Sequence, residues 1–408
     1  MSTDVPATAR ATGVGPTILT GFVAGIVGFT SSFAVVLTGL RALGANDNQA
    51  ASGLFIICLT MGAGCVIFSL RYRMPITMAW STAGAALMAG ASVPTAGYAS
   101  ALGAFAFAGI LYAASGLIAP LGRWVRMIPT SLANAMLAGI LVTLCVQPFT
   151  ALAANPLSIA PVLLTWLIML RISRRWAVPA ALVTALVVIA GSGSLSKLSA
   201  SQLVPHMVWT TPTFSLSAVI AIGVPLYLVT MTSQNIAGTA VMATFGYAVP
   251  LRQALTYTGA ATALGAGLGG FTINLSAIAA AIPAGPGSHP DPAKRWIAGV
   301  GNGVTYLAFG PLAAAVAAIS VAAPAGIVAS IAGLALIGSF AAAAASALAD
   351  PAHREVAAIT FVVAASGMSF AGISAAFWAL VAGGMYLAVM RIPHMRKAKL
   401  AGASAATK

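Results

Sequence analysis

The stretch Gly269–Gly270–Phe271–Thr272–Ile273–Asn274–Leu275–Ser276–Ala277–Ile278–Ala279–Ala280–Ala281–Ile282 decides the fold. It lies deep in apolar sequence, yet crossing a bilayer as a helix takes about 20 apolar residues. The helix-favouring part, Leu275 to Ile282, is under half of that. A glycine pair and the β-favouring or polar Phe271, Thr272, Ile273 and Asn274 come before it. The pattern predicts a short extended segment that turns into a half-helix near Leu275, with Asn274 or Ser276 capping its first turn. Extended backbone at membrane depth is tolerated only where it is enclosed by protein or lines a cavity.

A second copy lies near the other end of the chain. Pro75–Ile76–Thr77–Met78–Ala79–Trp80–Ser81–Thr82–Ala83–Gly84–Ala85–Ala86–Leu87 aligns without gaps onto Gly270–Ile282. Thr77 then matches Thr272, Ser81 matches Ser276, and Ala85–Ala86 match Ala280–Ala281. Two interrupted helices at corresponding places in two halves point to the binding site of a carrier. The competing reading is a pair of Ala/Gly-rich packing helices whose likeness is compositional.

Composition sets the setting. The 408 residues are 60% hydrophobic and 6% charged, with a mean hydropathy of +0.99. Those values, with long low-charge apolar runs throughout, describe an all-α polytopic membrane protein. Met1–Pro16 is short and polar without an apolar run leading to a cleavage site, so no removable signal peptide is expected. Cys58, Cys65 and Cys145 sit inside apolar runs and read as small core residues. The net charge of +14 does not mark a nucleic-acid binder, because the basic residues are scattered between apolar runs and cluster only from Arg391 to Lys399.

Fourteen segments are expected, at about 17–39, 51–70, 75–91, 98–121, 127–149, 156–172, 176–194, 214–233, 252–268, 271–284, 296–320, 322–348, 354–370 and 372–391. With the N-terminus inside, the inner loops and tails hold seventeen of the 19 lysines and arginines, Arg10, Arg123, Arg126, Arg171, Arg174, Arg175, Lys294 and Arg295 among them. The outer loops hold only Arg41 and Lys197. This positive-inside asymmetry places both termini in the cytoplasm. The third and tenth segments are the interrupted ones. They are an odd number of crossings apart, so the two halves run in opposite directions, as in an inverted repeat of two seven-segment units. Ser192–Pro212, polar by local standards, is the seam.

The chemistry available inside the membrane is neutral. Asp4, Asp47, Asp291, Asp350 and Glu355, like His206, His289, His353 and His394, all fall in tails, loops or segment ends. No paired carboxylates, histidine cluster or Ser/His/Asp arrangement supports an enzyme, and no metal or cofactor is expected. What the interior holds is Thr30, Ser31 and Ser32 in the first segment, Trp80, Ser81 and Thr82 in the third, and Thr230–Met231–Thr232–Ser233–Gln234–Asn235 ending the eighth. Asn274, Leu275 and Ser276 follow in the tenth. Buried amides are costly unless satisfied, so Gln234 and Asn235 are either substrate contacts or interhelical glue. Serines and threonines bond to their own helix by default. Two half-helix starts facing each other would be electropositive without any cation. With Phe29, Phe33 and Trp80 as walls, such a site suits a small organic anion with an apolar body.

The segments Ala79–Trp80–Ser81–Thr82–Ala83–Gly84–Ala85–Ala86–Leu87, Thr230–Met231–Thr232–Ser233–Gln234–Asn235–Ile236–Ala237–Gly238, Ile273–Asn274–Leu275–Ser276–Ala277–Ile278 and His289–Pro290–Asp291–Pro292–Ala293–Lys294–Arg295 resemble the benzoate/proton symporter (BenE) family, related to the uracil-permease and sulfate-transporter fold. The resemblance covers nearly the whole chain. It implies a core domain at 17–121 and 213–320, a gate domain at 122–212 and 321–391, and tails at 1–16 and 392–408. It further implies import of benzoate or a related aromatic carboxylate across a bacterial inner membrane by proton symport, an elevator-like movement of core against gate, and a homodimer through the gate. The expected substrate site is Ser31, Phe33, Trp80, Ser81, Thr82, Gln234, Asn235, Asn274, Leu275 and Ser276. Two positions depart from the family pattern: Ala83 and Ala237 stand where proline is expected, which loosens the fixed start of a half-helix. Another cargo on the same fold, an inorganic anion or a nucleobase, is the alternative. Nucleobase carriers of this fold are expected to use membrane carboxylates, which this chain lacks. A non-transporting membrane subunit or an enzyme would need features that the chain does not offer.

Overall fold

A computed structural model describes residues 13–118, 130–277, 279–370 and 373–405. Arg10, Arg123, Arg126, most of the N-terminal tail and the start of the segment expected at 127–149 lie outside the described residues. In chain order the main elements are α1 (Val14–Ala42), α2 (Asp47–Tyr72), β1 (Met78–Trp80), α3 (Thr82–Ala89), α4 (Tyr98–Leu117) and α5 (Thr130–Ala154). Then come α6 (Pro156–Ile172), α7 (Ala177–Gly191), α8 (Leu216–Thr244), α9 (Leu251–Gly265), β2 (Ile273–Leu275) and α10 (Ala281–Ala284). The last are α11 (Trp296–Phe309), α12 (Ala313–Ala322), α13 (Ile327–Leu348), α14 (Arg354–Ala365) and α15 (Ala375–Ala405). Among the described residues, eight helices are long and apolar enough to cross a membrane.

The two short strands meet in the interior. β1 pairs antiparallel with β2 in the register Met78↔Leu275, Ala79↔Asn274 and Trp80↔Ile273. One residue further out at either end, the Ser81 N–H donates to Thr272 O and the Ser276 N–H to Thr77 O, each at 2.9 Å. The register is symmetric about one pair: Ala79 faces its own sequence match, Asn274, while Met78 faces the match of Trp80 and Trp80 faces the match of Met78. Gly269, at a φ of 87°, turns the chain out of the preceding helical turn and into β2. That left-handed conformation is open to glycine at no steric cost.

Buried backbone N–H groups need partners, and here side chains from three helices supply them. Cys65 Sγ of α2 accepts from the Met78 N–H at 3.0 Å. Thr262 Oγ1 of α9 accepts from Ile273 at 3.2 Å, and Asn235 Oδ1 of α8 accepts from Leu275 at 3.1 Å. Among the described residues all three cysteines are free and buried.

The structure corrects two boundaries. The helix expected near Leu275 begins only at Ala281 and runs four residues to Ala284. The backbone N–H groups of Leu275 and Ser276 are already committed, to Asn235 and to Thr77, and that keeps the chain extended where Ala-rich composition favours helix. The eighth segment, expected to stop at residue 233, continues as α8 to Thr244. Gln234 and Asn235 sit inside it, in a π-helical turn at Met231–Ile236. Such wide turns recur at functional sites.

One sequence pattern occurs twice outside the strand pair. Asp291–Pro292–Ala293–Lys294–Arg295 and Asp350–Pro351–Ala352–His353–Arg354 precede α11 and α14. In each copy the aspartate accepts from the alanine N–H two residues on, at 2.9 and 3.0 Å. In each, the arginine Nε donates to a carbonyl six residues back, His289 at 2.7 Å or Leu348 at 3.0 Å. His353 Nδ1, 2.6 Å from Asp350 Oδ2, holds the Asp350 carboxyl below its ordinary value.

Candidate substrate site

The start of α3 is set by Ser81, whose hydroxyl accepts from the Gly84 N–H at 2.9 Å. The Thr230 hydroxyl of α8 donates to Ser81 Oγ at 2.6 Å. Ser81 Oγ thus accepts twice, as a cap and as a tie between helices. Ser276 is its counterpart, accepting from the Ala279 N–H at 3.0 Å. Asn274 does not cap: its Nδ2 donates to Leu275 O at 2.8 Å.

A cavity of about 100 Å³ opens beside these starts, framed by α1, β1, the first turn of α3, the π turn of α8 and α11. Its polar lining is Ser31, Ser32, Thr82, Gln234, Ser276 and Tyr306; Val27, Ala79, Trp80 and Ile282 supply apolar wall. Ser31 donates to Gly28 O at 3.0 Å. The Trp80 indole N–H donates to Ser32 Oγ at 2.9 Å, which fixes the ring against α1. Thr82, Gln234 and Tyr306 differ: their side chains make no hydrogen bond to any described residue. They remain available to whatever enters.

Of the ten residues expected from sequence, Ser31, Trp80, Thr82, Gln234 and Ser276 line this cavity. Ser81, Asn235, Asn274 and Leu275 are buried behind it, holding strands and helix starts in place. Phe33 lines a different cavity on another face of α1. Tyr306 was missed. Its signal in the sequence is a hydroxyl deep within an apolar segment, where a buried tyrosine needs a partner for its polar end. Gly28 makes room for it, since a Cβ at Gly28 would collide with Tyr306 Oη.

No lining residue is acidic or basic. The cavity offers hydroxyls, one carboxamide and the N-terminal turn of α3, whose partial positive charge favours an anion. Among the described residues, no group of histidines, cysteines and acids could hold a metal ion. Apolar helices enclosing a small neutral-polar cavity beside broken helical backbone are the arrangement of a membrane transporter. The chain belongs to the BenE family, whose model, described as benzoate membrane transport protein, matches residues 13–389.

Similar proteins agree with that assignment. The chain is 33% identical over 377 residues to the inner membrane protein YdcO of Escherichia coli, covering 92% of this chain and 96% of that one. It is 28% identical over 365 residues to the benzoate membrane transport protein of Acinetobacter baylyi, with 90% and 92% covered. Among solved structures it resembles the transmembrane domain of the cyanobacterial bicarbonate transporter BicA at a TM-score of 0.58 and 16% identity, covering 90% of this chain and 97% of that one. Murine Solute Carrier 26 family member A9, an anion transporter captured inward-facing, gives 0.54 at 13% identity, with 92% and 68% covered. At these identities the two structures speak to the fold alone.

Proposed function

We propose that this protein is a secondary carrier that imports benzoate or a closely related small aromatic carboxylate by proton symport. The observation that carries the reading is the set of polar side chains without a hydrogen-bond partner among the described residues, Thr82, Gln234 and Tyr306, around the first turn of α3 in a cavity lined by no Asp, Glu, His, Lys or Arg. Thr82, Tyr306 and the Gln234 amide donate to the carboxylate, and Ser31 and Ser276 complete the polar wall. Trp80 flanks the ring. Ser81, Asn235, Asn274 and Leu275 hold the surrounding backbone.

The wider architecture we propose is fourteen segments in two inverted repeats of seven, with α3 and α10 as the half-helices of segments three and ten. The core (17–121 and 213–320) then moves elevator-fashion against the gate (122–212 and 321–391), both termini lie in the cytoplasm, and the gate forms a homodimer. The substrate binds as the carboxylate, and the coupled proton travels along a path outside the lining of this cavity.

The test is uptake into vesicles containing the purified protein. Labelled benzoate should accumulate under an inward proton gradient and stop when a protonophore collapses it. Bicarbonate and uracil, supplied in the same way, should not accumulate. Accumulation of bicarbonate in place of benzoate would establish the inorganic-anion reading.

A further inference from the structure

A second cavity, about 210 Å³, lies between α1, α7, the α11–α12 junction and α13. Twelve of its fourteen lining residues are apolar, Phe29, Phe33, Leu186, Leu312 and Ile331 among them. The two others, Thr30 and Ser320, turn their hydroxyls to their own helices, donating to Ile26 O and Val316 O at 2.7 Å each. The space therefore offers nothing to water or to a charged group. Apolar cavities of roughly 150 Å³ stay dry and take apolar guests.

The cavity has a mouth. Leu186 and Leu312 line it and are also 40% and 49% exposed, whereas Phe33, Ala34, Ile189 and Ile331 at its back are at most 6% exposed. Around the mouth, α7 exposes Val183 and Val187 as well. Apolar side chains exposed on membrane-crossing helices face hydrocarbon. The back wall adjoins the candidate substrate site, because the Phe29 ring lies 4.5 Å from Phe309 and 5.6 Å from Trp80, and Trp80 lies 6.3 Å from Tyr306.

We propose that this crevice is a lipid site: one acyl chain of a membrane phospholipid enters between Leu186 and Leu312 and packs against Phe29 and Phe33. Each methylene that leaves a polar surrounding for such a wall is favourable, but a chain already in the bilayer gains only packing, so occupancy follows from shape. The site itself is independent of the substrate assignment. Its influence on substrate through the Phe29–Trp80 contact rests on the reading above. A crevice bounded by helices of the proposed core and gate also leaves the acyl chain between the two bodies that the elevator movement separates.

The experiment uses the whole protein in phosphatidylcholine vesicles with a fraction of phosphatidylcholine bearing a diazirine in one acyl chain. After illumination the labelled residues are mapped by peptide mass spectrometry. Wild type should carry label on the buried back wall, at Phe33, Ile189 or Ile331, as well as on outward-facing Val183 and Val187. Ala34→Phe and Leu312→Trp, which fill the crevice from its back and its mouth, should each cut back-wall labelling about ten-fold and leave Val183 and Val187 labelled. Label confined to the outward faces of wild type overturns the proposal without any variant needing to fold. Loss of back-wall label on adding excess benzoate, with no lipid effect on benzoate affinity, also overturns it, by giving the crevice to the substrate's ring. Benzoate uptake by the wild-type vesicles, measured separately, reports on the transport reading alone.

Discussion

The backbone N–H of Leu275 donates to Asn235 Oδ1 at 3.1 Å, joining the π turn of α8 to β2. Asn235 is 1% exposed and belongs to the scaffold, while its neighbour Gln234 lines the cavity. The two adjacent amides therefore separate in experiment. Asn235→Leu leaves a buried N–H without an acceptor, a loss of ~1–3 kcal/mol, and should lower the melting temperature with little change in benzoate affinity. Gln234→Leu should do the reverse, weakening benzoate binding about ten- to a hundred-fold at an unchanged melting temperature. Calorimetry and thermal unfolding on both variants check this; equal effects on the two readouts would refute it.

Tyr306→Phe removes only Oη, which has no hydrogen-bond partner among the described residues, so folding stability should hold. Benzoate affinity should fall about ten-fold, as expected for one hydrogen bond to a charged group. Gly28→Ala, which pushes a methyl into the same hydroxyl, should reproduce the defect with Tyr306 still present. Normal affinity in both variants would remove Tyr306 from the site.

Benzoate affinity should be flat from about pH 6 to about pH 8, because no lining group titrates there. Asp350 and His353 are not among the lining residues. A carboxyl with a lowered folded value contributes stability above its ordinary range and loses it as pH falls through the lowered value, below that window. Isothermal titration at three pH values checks the point. A sigmoidal change in affinity would reveal an ionisable group in contact with the substrate.

The charge asymmetry gives a topological expectation. Arg174 and Lys294 are exposed on loops assigned to the cytoplasm. Arg174→Cys and Lys294→Cys should therefore resist a membrane-impermeant maleimide in intact cells and label after permeabilisation. The native cysteines are buried and give a low background. Labelling from outside would reverse the proposed orientation.

The two short extended segments were legible because glycines and polar or β-favouring residues interrupt an apolar run twice in the same pattern; their pairing into a ladder was not. The late start of α10 was not. The bonds that keep Leu275 and Ser276 extended come from Asn235 and Thr77, remote in sequence. Gln234 was recognisable as a costly amide in the membrane, but its π turn leaves no trace in composition. Phe33 shows the limit of residue type alone. It is aromatic and close to Ser31 along the chain, yet helical geometry turns it toward the acyl-chain crevice while Ser31 faces the polar cavity.

The register that sets Ala79 against Asn274 has a bearing on ancestry. In a symmetric dimer a residue on the axis meets its own copy, and here the matched pair Ala79 and Asn274 of one chain meets in that way. The strand ladder is thus what two copies of one shorter polypeptide, inserted in opposite directions and later fused, would leave behind. In such a parent any substitution at this position appeared on both sides of the axis at once. Fusion of such copies would remove that constraint, letting one half keep a small alanine while the other carries an amide.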